Sequence, residues 1–163
     1  MTPSKPSGKH YWLMKSEPEM FSIDNLAKLG RSPWDGVRSY QARNHMQAMR
    51  EGDLVLFYHS STEDRGVVGL ARVAREAYPD HTQFDPKSKY FDKTAKKAEP
   101  RWFMVDVEFV EKFPKLLALD SMKADPQLAD MLVVKRGMRL SVQPGDAKHM
   151  RRILKQVGAR TPL

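Results

Sequence analysis

Trp34-Asp35-Gly36-Val37-Arg38-Ser39-Tyr40-Gln41-Ala42-Arg43-Asn44 is the stretch from which the rest of the chain is read. Asp35-Gly36 favours a tight turn, because glycine tolerates positive φ. A Trp stands before the turn, and two Arg, a Tyr, a Gln and an Asn follow it within eight residues. Such groups suit a flat polar ligand: a π-face, planar donors, and amides that both donate and accept. The same residues also read as a turn entering an amphipathic helix, with Trp34 as a core anchor. From Ser39 onward the spacing predicts a helix. Ala42, Met46 and Met49 fall at i, i+4 and i+7 on one apolar stripe. Tyr40, Asn44 and Gln47 lie on a nearly opposite stripe, which faces solvent or a pocket beside the helix.

Working outward, His10–Lys15 is aromatic and apolar and predicts a first strand, ended at Pro18, which cannot continue a ladder. Ser22 caps a helix through Leu29, with Gly30 as its stop. Glu51-Gly52-Asp53 is a turn. Leu54–His59 is a strand with so little alternation that both its faces are expected to be covered. Ser60–Arg65 is a polar loop. Gly66–Tyr78 is a strand pattern in which Gly69 marks a bulge or a close backbone approach. Residues 79–100 form a long irregular loop, a kind often functional or mobile; its Phe84, Tyr90 and Phe91 imply that it packs on something. Arg101–Phe113 is the clearest strand: Phe103, Val105, Val107 and Phe109 share one face, Arg101 sits at its rim, and Trp102 takes a structural place on the other face. Asp125-Pro126 opens a short helix. Arg139–Gln143 is a last strand, stopped by Pro144-Gly145, with Ser141 and Gln143 turned away from the core that holds Leu140 and Val142. A final helix runs from Asp146 to Val157 with Ala147, Met150, Leu154 and Val157 buried. Short strands mixed with short helices predict an α+β fold, a small, partly open β-barrel with helices on its flanks.

The 163 residues suffice for one domain with a proper core. There is no cysteine, which removes disulfides, thiolate metal sites and Cys nucleophiles. Met1–Lys9 is polar, without an apolar core of signal-peptide length, and is expected to be a disordered tail; residues 10–158 are expected to form the domain and 159–163 a C-terminal tail. No apolar run is long enough to span a bilayer, so a soluble, cytoplasmic protein with no membrane partner is expected. The net charge of +8 is uneven: from Lys135 to Arg160 there are eight Lys/Arg and one acid, whereas Glu51–Val134 carries twelve Lys/Arg against fifteen Asp/Glu. A concentrated basic surface suits a polyanion, nucleic acid first. On the last helix Lys148, Arg151, Arg152 and Lys155 lie off the apolar stripe, as a solvated basic face or as contacts to a phosphate backbone. No pair of the histidines has metal-ligand spacing, no H-E-x-x-H, G-x-S-x-G, P-loop or G-x-G-x-x-G is present, and no metal or cofactor is expected. Glu17 and Asp35 are candidate acid and base, but nothing places a nucleophile beside them. A binding module is favoured over an enzyme.

The blocks Tyr11–Pro18 (YWLMKSEP), Trp34–Asn44, Asp53–Ser60 (DLVLFYHS), Gly66–Val73 (GVVGLARV), Pro100–Val107 (PRWFMVDV) and Arg139–Pro144 (RLSVQP) resemble, in that order, the EVE domain family over nearly the whole chain. The resemblance implies a PUA-like β-barrel related to YTH and ASCH domains, with a pocket that takes a modified base from DNA or RNA. Carried over by position, the implied pocket residues are Lys15, Ser16 and Glu17; Trp34, Arg38 and Asn44; Tyr58, His59 and Ser60; and Arg101, Ser141 and Gln143. Ser39 and Ser61 stand where the family pattern more often has Asn. On this resemblance Trp34 stacks on the base and Tyr58 closes the other side or packs in the core. Ser16, Asn44, Ser141 and Gln143 read base edges. Arg38 and Arg101 meet O6/N7-type acceptors or a phosphate, while Lys15 and the basic helix hold the backbone. His59 reads equally as a satisfied strand-end histidine, and Glu17 as a cap on backbone donors. Two further readings remain: an enzyme acting on a nucleotide through Glu17, Asp35 or His59, and a protein-interaction module whose basic ends only confer solubility.

Overall fold

The computed structural model describes residues 10–163, so the expected N-terminal tail lies outside the described residues. Six strands form one mixed sheet in the order β2-β5-β4-β3-β1-β6. They are β1 (Tyr11–Ser16), β2 (Arg31–Pro33), β3 (Leu54–His59), β4 (Gly66–Pro79), β5 (Phe103–Ala118) and β6 (Val142–Gly145). Four helices accompany them: α1 (Ile23–Leu29), α2 (Tyr40–Ala48), α3 (Leu119–Ala124) and α4 (Ala147–Gln156). β1 and β3 run parallel, Leu13 opposite Leu56 and Ser16 opposite His59; every other pair is antiparallel. A parallel pair needs a crossover, and the chain makes it through α1, β2 and α2.

Alternation along the central strands gives the sheet two apolar faces. Trp12, Met14, Val55, Phe57, Ala71, Val73, Val105 and Val107 share one cluster with Ile23 and Leu26 of α1 and with Ala42 and Met46 of α2. Leu13, Leu56, Tyr58, Val67 and Leu70 share the other with Met122 of α3 and Met150, Ile153 and Leu154 of α4. The sheet is therefore covered on both sides, as the unalternating Leu54–His59 required. The architecture is α+β, but the hydrogen-bonded ladder is open: β2 and β6 are its two ends and do not pair with each other. Four register shifts interrupt the pairing of β4 with β5, the kind of irregularity that locally bends and twists a strand. Gly69 sits at one of them, and a Cβ there would lie 2.6 Å from the Ile23 side chain and 2.8 Å from the Glu111 carbonyl oxygen.

Local expectations hold at most boundaries. Ser22 and Ser39 cap α1 and α2 through their hydroxyls, Gly30 closes α1 at φ 80°, and Ala42, Met46 and Met49 are fully buried. The Asp53 carboxylate accepts from the Trp12 indole and the Arg50 amide, tying the turn before β3 to β1. Two expected strands differ in extent, and β2 and α3 were not expected at all. β5 continues past Phe113 to Ala118 and runs straight into α3. The last strand begins at Val142, so Pro144-Gly145 does not stop it: Pro144 pairs opposite Trp12 and Gly145 opposite Tyr11. β6 is an edge strand, where a proline without an N–H is tolerated. Arg160 and Thr161 are held to the body by the Glu111 carboxylate, which accepts from Arg160 N, Thr161 N and Thr161 Oγ1.

Candidate nucleic-acid interface

The parallel pair ends on one side of the molecule, and the loops leaving β1 and β3 diverge there around a cavity of about 1520 Å³. Its walls come from the end of β1 and the turn into α1 (Lys15–Glu17, Met20, Phe21), from residues 32–38, and from Tyr58 with the loop 60–65. Lys89 and Tyr90 of the long loop, Leu119 and Lys123 of α3, and the segment 133–141 complete it. Seven cations line it (Lys15, Arg38, Arg65, Lys89, Lys123, Lys135, Arg139) against three acids (Glu17, Asp35, Glu63).

Of the twelve residues that the family resemblance implies, eight line this cavity: Lys15, Ser16, Glu17, Trp34, Arg38, Tyr58, Ser60 and Ser141. Lys15 Nζ donates to the Met138 carbonyl at 3.2 Å and lies 5.6 Å from the centroid of the Tyr58 ring. Burial lowers the Lys15 ammonium from its usual value and raises the Tyr58 phenol. Ser16 Oγ donates to the Phe21 carbonyl at 2.5 Å, and Ser60 N to the Ser16 carbonyl at 2.9 Å, so the ends of β1 and β3 stay bridged past the last ladder residue. The Glu17 carbonyl accepts from Met20 N and Phe21 N, leaving its exposed side chain over the cavity.

Two of the eight differ from what was expected of them. Trp34 is only 8% exposed and meets Phe57 and Phe21 edge-on, at 5.4 and 6.3 Å between ring centroids. It is a core residue with one margin in the cavity wall. Arg38 is engaged by the protein's own acceptors. Its Nε and Nη2 donate to the Tyr90 carbonyl, Nη1 to the Val37 carbonyl and Asp80, and Nη2 also to Thr82 Oγ1. A guanidinium has five N–H bonds, and all five are committed. Asp80 is fully buried. Burial alone would raise its carboxyl, but donors from Thr82, Gly36 and Arg38 outweigh that and hold it below its usual value. Gly36, at φ 81°, lies so close to Tyr90 that a Cβ would sit 2.6 Å from the ring. The Asp35-Gly36 turn and Arg38 therefore fasten the long loop to the cavity wall. Asp35 itself lines the cavity, its carboxyl raised by burial and by neighbouring Asp80.

The other four lie elsewhere. His59 Nε2 accepts from Ile23 N at 3.1 Å, at the start of α1, and burial depresses its pKa. Asn44 is exposed on α2 and accepts from the Arg43 guanidinium. Arg101 lies beside the Tyr40 hydroxyl, 3.5 Å away. Gln143 is 1% exposed and donates to the Leu140 carbonyl; because both faces of the sheet are packed, turning away from Val142 buries it. None of Lys148, Arg151, Arg152 and Lys155 lines the cavity either. Lys148 pairs with Asp130 and Arg152 with Asp125, each at 2.9 Å. A cluster not legible in the sequence, Asp130, Asp146 and His149, gathers in the same region, with His149 Nε2 2.7 Å from Asp130.

The sequence reading missed the contributions of Arg65, Lys89, Lys123, Lys135 and Arg139, which only tertiary packing brings together. One local signal existed. Ser61 has φ 56°, in the left-handed region where Asn is favoured among non-glycine residues, and that is where the family pattern has Asn.

Comparison with known proteins places this geometry. The EVE domain model matches residues 10–156. The chain belongs to the EVE domain family. Thymocyte nuclear protein 1 of Mus musculus is 42% identical over 88% of this chain and 73% of its own length. The human THYN1 protein, solved in complex with 5-methylcytosine-containing DNA, is 36% identical, with a TM-score of 0.87 over 94% of this chain and 100% of that one. The fold reaches further: a YTH domain from Zygosaccharomyces rouxii, solved with N6-methyladenosine RNA, has a TM-score of 0.53 at 14% identity, over 99% of this chain and 92% of that one.

Proposed function

We propose that this EVE domain is a non-catalytic reader of a modified base in nucleic acid, with 5-methylcytosine in DNA as the first ligand to try. The observation that carries the reading is the cavity at the ends of β1 and β3, with Trp34 and Tyr58 in its wall and a rim of seven cations. The human relative solved with 5-methylcytosine-containing DNA shares the fold over its entire chain. A base stacked in a duplex cannot enter such a recess, so the protein takes a single strand or extrudes the base, at a cost of a few kcal/mol. The rim supplies phosphate attraction that carries no sequence information. Ser16, Ser60, Ser141 and the carboxylates of Glu17 and Asp35 supply polar groups for a base edge; a carboxylate accepts from the amino group of cytosine. One buried methyl contributes only about 0.8 kcal/mol, near a fourfold preference, so stronger discrimination needs an unmet hydrogen bond or a clash for the unmodified base. The PUA-like barrel of the family enters this reading as a curled sheet left open between β2 and β6. The enzymatic alternative loses one of its three groups, because His59 is bonded to the backbone outside the cavity.

The test is a calorimetric titration with matched oligonucleotides carrying cytosine or 5-methylcytosine, single-stranded and duplex, repeated with Lys135→Ala/Arg139→Ala. Saturable binding that prefers the modified strand is expected, and the double variant should lower the slope of log K against log salt by about 2, one for each phosphate contact. Equal affinity for both strands, with an unchanged slope in the variant, would sink the reading.

A further inference from the structure

The loop 79–100 builds a second recess behind the cleft. It is a shallow hollow of about 440 Å³ that shares Arg38, Lys89 and Tyr90 with the main cavity and adds Phe91, Lys93 and Trp102. The two recesses therefore meet across Tyr90. Asp92 and Thr94 also line the hollow, and their hydrogen bonds to each other turn the Asp92 carboxylate toward the protein's own donors. Phe91 is 41% exposed, so part of its ring is open to a ligand at the mouth of this hollow.

The loop's charges are sorted. Three of its four acids are spent on the protein's own donors: Asp80 on Gly36, Arg38 and Thr82; Asp85 on Lys87 N; Asp92 on Thr94 and the Trp102 indole. Its five lysines, Lys87, Lys89, Lys93, Lys96 and Lys97, make no ion pair among the described residues. Arg38 and the packed Tyr40–Trp102 stack, at 4.9 Å and 24°, hold the floor in place. The result is a firm aromatic hollow under unpaired cations. Aromatic faces interleaved with cations are the arrangement by which single strands are held, each base on a ring and each phosphate beside a cation.

We propose that this hollow receives the base of the nucleotide adjacent to the one held in the main cavity, stacked on Phe91, with Lys89 and Lys93 at the phosphate between the two. The inference rests on the reader function proposed above. It makes the ligand a strand of at least two nucleotides rather than an isolated base, and it gives the loop the backbone role first assigned to α4.

The test uses wild type and Phe91→Ala with three probes: 5-methyl-2′-deoxycytidine, a trideoxynucleotide with central 5-methylcytosine, and the same trinucleotide with an abasic flank on either side. Phe91→Ala is expected to weaken the trinucleotide at least about fivefold, to leave the nucleoside unchanged, and to lose its effect when one of the two flanks is abasic. Equal effects on all probes, or none on the trinucleotide, would overturn the inference while leaving the reader function standing. A wild-type protein that binds none of the probes would remove both. Near-ultraviolet circular dichroism of Phe91→Ala checks that the Trp102 packing is intact.

Discussion

Trp34 and Arg38 are four residues apart, and both are held by the protein's own packing and hydrogen bonds. The sequence offers Arg38 as a ligand group and Trp34 either as a ligand group or as a core anchor. The structure shows Trp34 wedged between Phe21 and Phe57, and Arg38 with every N–H bond taken. Their side chains build the cavity wall. This changes what a mutation can report. Removing a buried aromatic ring typically costs about 3–5 kcal/mol, a large share of the roughly 5–15 kcal/mol that holds a domain together. Trp34→Ala should therefore lower the thermal midpoint by many degrees, read by scanning calorimetry, and its loss of binding would say little about stacking. Trp34→Phe keeps most of the packing and should lose much less stability. A Trp34→Ala midpoint within a degree or two of wild type would show that the indole is not the core anchor that its 8% exposure implies.

At the scale of elements, the long loop is the least regular part of the chain and one of the best fastened. Asp92 accepts from Thr94 Oγ1 and N and from the Trp102 indole, and those hydrogen bonds, Thr94 first, hold its carboxyl down to about 2. A carboxyl lowered in the folded state contributes stability that is present above its unfolded value, about 3.9, and is lost as pH falls toward the folded value. The difference in thermal midpoint between wild type and Asp92→Ala should thus be constant above about pH 5 and shrink between about pH 4 and about pH 2. A difference independent of pH over that range would mean that the ionised carboxylate is not what holds the loop. Periodicity explains which elements were legible. α1, α2, β1, β3 and β4 announce themselves through caps, stripes and apolar runs inside their own spans. β2 has three residues and exists through its pairing with β5; so short a run shows no alternation. α3 follows β5 without a break, so neither boundary carries a turn signal. The site was legible where one strand end carries it, as in Lys15–Glu17, and illegible where four separate segments bring cations to one rim.

The net charge of the whole molecule is plain in the sequence, and its distribution over the surface is decided by the fold. The excess of basic residues from Lys135 onward left α4 open to two readings, a solvated basic face or contacts to a phosphate backbone. In the fold, the early part of that segment, Lys135 and Arg139, reaches the cavity rim, while α4 packs its apolar stripe against the sheet face that holds Leu13, Leu56 and Tyr58, lines no part of the cavity, and pairs Lys148 and Arg152 with Asp130 and Asp125. Exposed charges act strongly only within a Debye length, about 8 Å at physiological ionic strength, so being part of the same basic run does not make a residue part of the binding field. Two charge reversals of equal size separate the surfaces. Lys135→Glu/Arg139→Glu places four units of charge difference at the rim and should weaken a 5-methylcytosine oligonucleotide by more than about tenfold near 150 mM salt. Arg151→Glu/Lys155→Glu makes the same change in net charge on α4 and should alter affinity by less than about threefold there, its effect growing as salt is lowered and screening fades. Equal losses for the two variants near 150 mM would show that the rim holds no special place in the binding field, and a larger loss for the α4 variant would return the backbone contacts to α4; the comparison holds total charge fixed, so only position can produce a difference.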